Sequence, residues 1–313
     1  MRVCLLTDKP DHPLLAAASS VLIEAGHQVT FLDPDAGPGS PAEPIPPDGL
    51  ADVYLLKAHT PRALALARHA EARGARVVNS AAATESCQDR SRIAAVADAA
   101  GLPMPRTRTL GALSEILDGP GRPQDGYPVM VKSRHSRRAD LVARVDGPDE
   151  LRDLVAAWPH EPVVLQEFVA NSGWDHKLWV IAGEVFAAVR PAPVGAPPDG
   201  ARPAPLVRDL PASWTRLALR TGEVFGLDVY GVDVLDRAGA PVVVDINAFP
   251  GIRGPEGAPA ALAALALRDP RPVASTVLSG PPVPSVPPVP SVPSVQFVPS
   301  VPPGPPGVPA YGV

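Results

Sequence analysis

Short apolar runs alternate with amphipathic stretches from the start of the chain. Val3–Leu6 is apolar without interruption and of strand length. A polar loop from Thr7 to Pro13 follows, then an Ala-rich helical stretch to Ala25 with Gly26 as its stop, and a strand Val29–Leu32. Beyond a proline-rich loop, Gly37 to Gly49, the alternation gives a strand Val53–Leu56, a helix Pro61–Arg73 ended by Gly74, and a strand Arg76–Val78. This alternation predicts a small parallel α/β domain with its working loops at the carboxyl ends of the strands. No GxGxxG follows the first strand, so dinucleotide binding is not supported there.

From Asp89 the pattern changes. A helix Ser91–Ala100 stops at Gly101, a strand lies near Arg106–Leu110, and Tyr127–Lys132 is a further strand with Leu141–Val145 as its antiparallel partner. Then come a helix Asp149–Ala157, strands Val163–Phe168, Lys177–Ile181 and Glu184–Val189, and a long proline-rich loop, Pro191 to Pro211. A helix Trp214–Phe225 and strands Val229–Leu235 and Pro241–Ile246 complete the pattern. The expectation is therefore α/β followed by α+β. A long loop without its own period is usually functional or mobile.

Composition narrows the classes. With 313 residues there is room for about two domains. The net charge of −5 and the 4% aromatic content argue against a basic, stacking nucleic-acid binder. No run reaches the roughly 18 apolar residues of a membrane span, so no membrane partner is expected. Cys4 and Cys87 have no metal or disulfide spacing, which suits a reducing, cytoplasmic setting. From Pro281 onward the chain repeats Pro-Ser-Val-Pro and carries no charged side chain, so it reads as an extended disordered tail. Such a tail could serve a Pro-recognising partner.

Three groups of residues carry candidate chemistry. Asp233 and Asp245 each stand alone in apolar runs of consecutive strands joined by a turn at Asp236–Gly239, and Asn247 shares the face of Asp245. Unpaired buried carboxylates are costly, and a bound hard cation removes that cost. Lys132 ends an apolar strand and with Arg134, Arg137 and Arg138 makes a cationic cluster in an acidic chain that suggests an anionic ligand. Gln166, Glu167, Phe168 and Val169 leave an apolar strand toward Asn171 and Gly173, a hinge able to offer backbone groups to a flat base.

Taken in order, DRSRI, PVMVKS, LQEFVANSGWDHKLWVIAGEVFAAVRP and GVDVLDRAGAPVVVDINAFPG resemble the ATP-grasp superfamily from about Met1 to Arg268. Two branches are close, the RimK-type carboxylate–amine ligases and the inositol trisphosphate kinases. The resemblance implies an ATP-grasp fold with an N-terminal Rossmann-like (pre-ATP-grasp) domain over residues 1–88, a two-lobed nucleotide-binding region over 89–270, and a Pro-rich tail over 271–313. It further implies that Arg90 and Lys132 contact the phosphates of ATP and that Gln166, Glu167, Phe168 and Val169 frame the adenine. Lys177 and Arg190 would face the transferred phosphoryl group, and Asp233, Asp245 and Asn247 would hold Mg²⁺, or Mn²⁺ in its place. The implied reaction joins a carboxylate to an amine through an acyl phosphate.

Departures from the ligase pattern keep alternatives open. The stretch after Lys132, SRHSRRADL, has no glycine and is closer to the polar lid of the kinases, and the Pro-rich loop with Arg202 and Arg208 stands where an Arg-Ser-Asn stretch is usual. The alternatives are a kinase of a polyhydroxylated or inositol-phosphate-like substrate, and a non-catalytic nucleotide binder acting through its tail. In each enzymatic reading the substrate, small molecule or peptide, is anionic. Lys57, His59 and His135 are its candidate contacts, with Lys9 and His12 on the same sheet edge.

Overall fold

In the computed structural model the first apolar runs form a parallel sheet. Residues 1–36, 49–117, 123, 126–137, 140–171, 173–191 and 209–268 are described. Strands β1 (Arg2–Leu6), β2 (Gln28–Leu32), β3 (Val53–Leu56) and β4 (Arg76–Val78) lie in the order β2-β1-β3-β4. Alternate residues of β1 and β3 enter different cores. Val3, Leu5, Val53 and Leu55 pack on helix α1 (Pro13–Glu24), whereas Cys4, Leu6, Tyr54 and Leu56 pack on α2 (Pro61–Ala72). A strand covered on both faces has no polar face to show, which is why these runs are continuously apolar. Thr60 caps α2, its hydroxyl accepting from the Ala63 amide at 3.2 Å.

Two antiparallel sheets follow, as the change of pattern implied. Strands β5 (Thr107–Leu110), β6 (Val129–Ser133), β7 (Val142–Val145) and β8 (Val163–Glu167) take the order β5-β8-β6-β7 and pack on α5 (Pro148–Ala157) and a 3-10 turn at Leu113–Leu117. Strands β9 (Trp174–Ile181), β10 (Glu184–Pro191), β11 (Val229–Arg237) and β12 (Ala240–Ala248) take the order β10-β9-β11-β12. Their buried face meets α4 (Arg90–Ala99) and α6 (Ala212–Phe225). On α6 the absent side chain of Gly222 makes room for Tyr230, whose hydroxyl donates to the Ala218 carbonyl at 2.8 Å.

The β11–β12 hairpin closes through Ala238 (φ 52°) and Gly239 (φ 89°), the two left-handed residues that a tight hairpin turn requires. Its ladder is irregular. Asp233 opposes Asp245 but Val234 opposes Val243, so Val244 is an extra residue on β12. Val243, Ile246 and Ala248 enter the core, while Val244 and Asp245 line the same cavity.

Helices α3 (Ala81–Ser86) and α7 (Ala258–Leu267) are additions to the elements expected from the sequence. α7 packs against α1, and Arg76 Nη1 donates to the carbonyls of Leu265 and Arg268 at 2.8 and 2.9 Å at its end. Asn79 ties the parallel sheet to β11. Its amide donates to the Val229 carbonyl at 2.6 Å, and its oxygen accepts from the amides of Asp228 and Val229 at 2.8 and 2.9 Å. No helix among the described residues is long and apolar enough to cross a membrane. The expected Pro-rich tail lies outside the described residues.

Candidate active site

The site is assembled from four elements. Asp89 caps α4, accepting from the Ser91 and Arg92 amides at 2.9 and 3.4 Å, and so fixes Arg90 in the first helical turn. Arg90 is 8% exposed. Its Nη1 donates to the Ser133 carbonyl at 2.8 Å and to Asp140 at 2.7 Å, and its Nη2 to Asp245 at 3.2 Å. Lys132 emerges from β6 and donates to Gln166 Oε1 on β8 at 2.8 Å and to the Val244 carbonyl on β12 at 2.9 Å. Burial lowers the Lys132 pKa, against the pull of Asp245. Lys132 and Arg90 therefore strap the β6–β8 sheet and α4 onto the acid-bearing hairpin.

A second cluster spans β9, β10 and β11. Arg190 Nε donates to Asp175 Oδ2 at 2.7 Å, its Nη2 is ion-paired with the same oxygen at 2.7 Å, and Lys177 donates to Asp233. Burial pushes the Asp233 carboxyl up to about 6, with Lys177 opposing the shift and Asp175 and Asp245 adding to it. Asp175, absent from the sequence reading, is 3% exposed, and its Oδ1 has no hydrogen-bond partner among the described residues. Its spacing of two from Lys177, on the same face of a strand, was the available signal.

Three cavities meet around these groups. The first, of about 170 Å³, is lined by Arg90, Lys132, Gln166, Glu167, Phe168, Val169, Arg190, Asp233 and Asp245. The guanidinium of Arg144 lies 4.4 Å above the Phe168 ring at its wall. The second, of about 530 Å³, holds Lys9, Lys57, His59 and Asn247. The third, of about 380 Å³, holds Lys177, Arg190, Asp233 and Asn247. Expected residues are thus gathered, with Asn247 reaching the second and third cavities rather than the first.

Lys57 lies 6.0 Å over the Phe249 ring, and burial lowers its pKa, as it does that of His59, pushed down to about 4 with the help of the Lys57 charge. His135 is exposed and stands outside the three cavities; its neighbours Ser136 and Arg137 line the second instead. His12 likewise lines none of the three. Arg138, Arg202 and Arg208 lie outside the described residues.

The residues present fit a nucleotide triphosphate with a divalent cation. Two buried cations, Arg90 and Lys132, line one cavity with the opposed carboxylates of Asp233 and Asp245, and the Asp175 oxygen without a partner among the described residues is a further buried acceptor. Among the described residues no three Asp, Glu, His or Cys side chains form a metal cluster. The oxygen set of Asp233, Asp245 and Asn247 would leave positions for phosphate and water, the usual habit of a small hard cation.

A RimK-like ATP-grasp domain model matches residues 100–259. The chain belongs to the RimK-like ATP-grasp family. It is 29% identical over 199 residues to a probable alpha-L-glutamate ligase of Teredinibacter turnerae, a match covering 60% of this chain and 64% of that protein. A probable alpha-L-glutamate ligase of Legionella pneumophila is 26% identical over 288 residues, covering 82% and 91%. A RimK domain ATP-grasp protein of Sphaerobacter thermophilus superposes with a TM-score of 0.67 at 25% identity, over 86% of this chain and all of that one. The D-alanine–D-alanine ligase of Bacillus anthracis complexed with ATP shares the fold, with a TM-score of 0.61 at 16% identity over 80% and 87%. This RimK-like protein is accordingly an ATP-dependent carboxylate–amine ligase with an ATP-grasp fold. The kinase alternative gains no support from these relatives.

Proposed function

We propose that this RimK-like protein activates a carboxylate as an acyl phosphate and passes it to an amine, with L-glutamate among its substrates, as the names of its relatives suggest. Residues 1–88 serve as the substrate-facing domain, 89–270 as the nucleotide-binding region and 271–313 as a tail. Lys132 and Arg90 hold phosphate oxygens, because both are buried cations lining the first cavity. Gln166–Val169 frame the adenine, with Phe168 backed by Arg144. Asp233, Asp245 and Asn247 hold Mg²⁺, or Mn²⁺, which when bound neutralises phosphate charge.

Arg190, oriented by Asp175, and Lys177, paired to Asp233, supply positive charge where the phosphoryl group moves. Lys57 and His59 receive the anionic group of the carboxylate substrate from the second cavity. The observation that carries this reading is the meeting of Lys132 with the Val244 carbonyl and of Arg90 with Asp245. It sets the phosphate-binding cations and the acids side by side. Incubation with Mg-ATP, L-glutamate and hydroxylamine tests it. Glutamyl hydroxamate with matching ADP is expected, and ADP without hydroxamate from glutamate or any other carboxylate offered would refute the acyl phosphate.

A further inference from the structure

The two edges of the parallel sheet differ. β4 is three residues long and tied down at its ends, Arg76 to the end of α7 and Asn79 to Asp228 and Val229. β2, the other edge, runs over five residues, and no strand among the described residues pairs with its outer side. The Gln28 amide donates to the Met1 carbonyl and the Leu32 carbonyl accepts from the Thr7 amide, both at 3.0 Å, so Gln28, Thr30 and Leu32 turn their backbone groups toward β1. Alternation then turns those of Val29 and Phe31 outward.

Exposed edges are usually blunted by Lys, Pro or a bulge, and β2 has none of these. It is apolar where it is open. Phe31 is 60% exposed, and with Val21 and Ile23 of α1 it makes three of the six large apolar side chains exposed among the described residues. Val29 packs on the core covered by α1, and Phe31, two residues on, shares that face. Thr30 lies on the other face, beside Cys4 of the α2 core.

The edge is also complementary to itself. When two copies pair antiparallel about a two-fold axis through Thr30, Val29 of each copy meets Phe31 of the other, and their outward amides and carbonyls bond to one another. Thr30 meets Thr30, and just beyond the strand His27 meets Asp33. Aromatic with β-branched, Thr with Thr, and basic with acidic are the cross-strand pairs that stabilise a sheet. Neighbouring registers lose this match. An axis at Phe31 sets Asp33 against Val29, and an axis at Val29 sets His27 against Phe31.

We infer that β2 is an interaction surface for a second copy of this chain, joining two parallel sheets into one with the two-fold axis at Thr30. Both α1 helices then lie on the same side of the joined sheet. None of residues 27–33 lines the three cavities, and the inference does not rest on the ligase reading.

Sedimentation of the full chain, without ATP or substrate, tests it. A species of two chains, or a multiple of two, is expected at about 100 µM, where a Kd of micromolar order leaves little monomer. Symmetry counts each substitution twice, so Phe31→Lys should raise that Kd at least about tenfold, with the circular dichroism of wild type because the ring is exposed. A monomeric wild type, or a Kd that Phe31→Lys leaves unchanged, overturns the inference. Cross-linking tests the axis in a Cys4→Ala background, which removes the neighbouring thiol. Thr30→Cys should meet its own copy at about 4.5 Å between Cα atoms, within disulfide reach, whereas Gln28→Cys should lie about 14 Å from its own copy. A disulfide-linked dimer is expected on oxidation of Thr30→Cys and not of Gln28→Cys. No dimer from Thr30→Cys, or equal yields from both, overturns the assignment even if the chain is dimeric in solution.

Discussion

Asp89 performs two tasks that one substitution can separate. It caps α4 through the Ser91 and Arg92 amides, and it binds Arg134 through contacts of 3.1, 3.1 and 2.7 Å. Burial alone would raise its pKa, but the Arg134 and Ser91 hydrogen bonds outweigh burial and hold the carboxyl down at about 2, against an ordinary 3.8. That fall amounts to about 2 kcal/mol of stability at neutral pH, at about 1.4 kcal/mol for each tenfold change. The pair is mostly shielded, with side chains 19% and 32% exposed, so solvent screening removes only part of it. Asp89→Asn keeps an acceptor for the cap and loses the charge, so it should cost about 2 kcal/mol at pH 7, and Asp89→Ala about 1 kcal/mol more for the cap.

The pH dependence fixes the cause. Because the folded pKa lies below the unfolded one, the contribution is complete above about pH 4 and is lost as pH falls toward 2. Urea unfolding of wild type and Asp89→Asn from pH 7 to pH 3 should show the gap shrinking to about half at pH 3. A gap that stays constant over this range would refute the ion-pair account and leave only packing.

Other outcomes follow from the same geometry. Asp245→Asn should abolish ATP turnover while circular dichroism and the urea midpoint stay close to wild type, since an amide oxygen can still accept from Arg90. Lys57→Met should raise the KM for the carboxylate substrate without changing ATP affinity, because the chain still packs over Phe249; equal loss of ATP binding in calorimetry would place Lys57 elsewhere. Gly222→Ala should destabilise by about 3 kcal/mol in urea melts, since the added methyl overlaps the Tyr230 ring and hydroxyl and breaks the bond to Ala218.

Much of this was legible in the sequence where burial leaves a simple trace. The apolar runs at Val3–Leu6 and Val53–Leu56 became strands, and the acid and amide of DINAFPG, Asp245 and Asn247, line cavities, the first and the third. What escaped lacks such a trace. α7 is apolar on every side, so it shows no helical period; its buried face packs against α1, and the exposed positions Ala260 and Ala264 carry only methyl groups, so no polar face marks it. α3 is a single short turn of Ala, Thr, Glu and Ser started by the Ser80 cap. β9 begins three residues earlier than its apolar pattern because Asp175 and His176, polar in sequence, are covered by Arg190 and Trp214. Trp179 and Pro250, which line the third cavity together, are 71 positions apart, a proximity that only the fold creates.

The extra residue on β12 has a consequence for how the hairpin is coded. Side chains on a strand alternate in parity, and Val244 resets it. Counted from the turn, Val243 is a core position, and strict alternation would then send Asp245 inward with Val243 and aim Ile246 at the cavity. The inserted residue acts as a phase shift, so that the acid and Asn247 face the cavities while Ile246 and Ala248 stay in the core. It also puts the carbonyl that accepts from Lys132 one peptide away from the carboxylate that accepts from Arg90. The spacing of those two acceptors is set by covalent geometry, and sliding β12 along β11 cannot change one distance without the other.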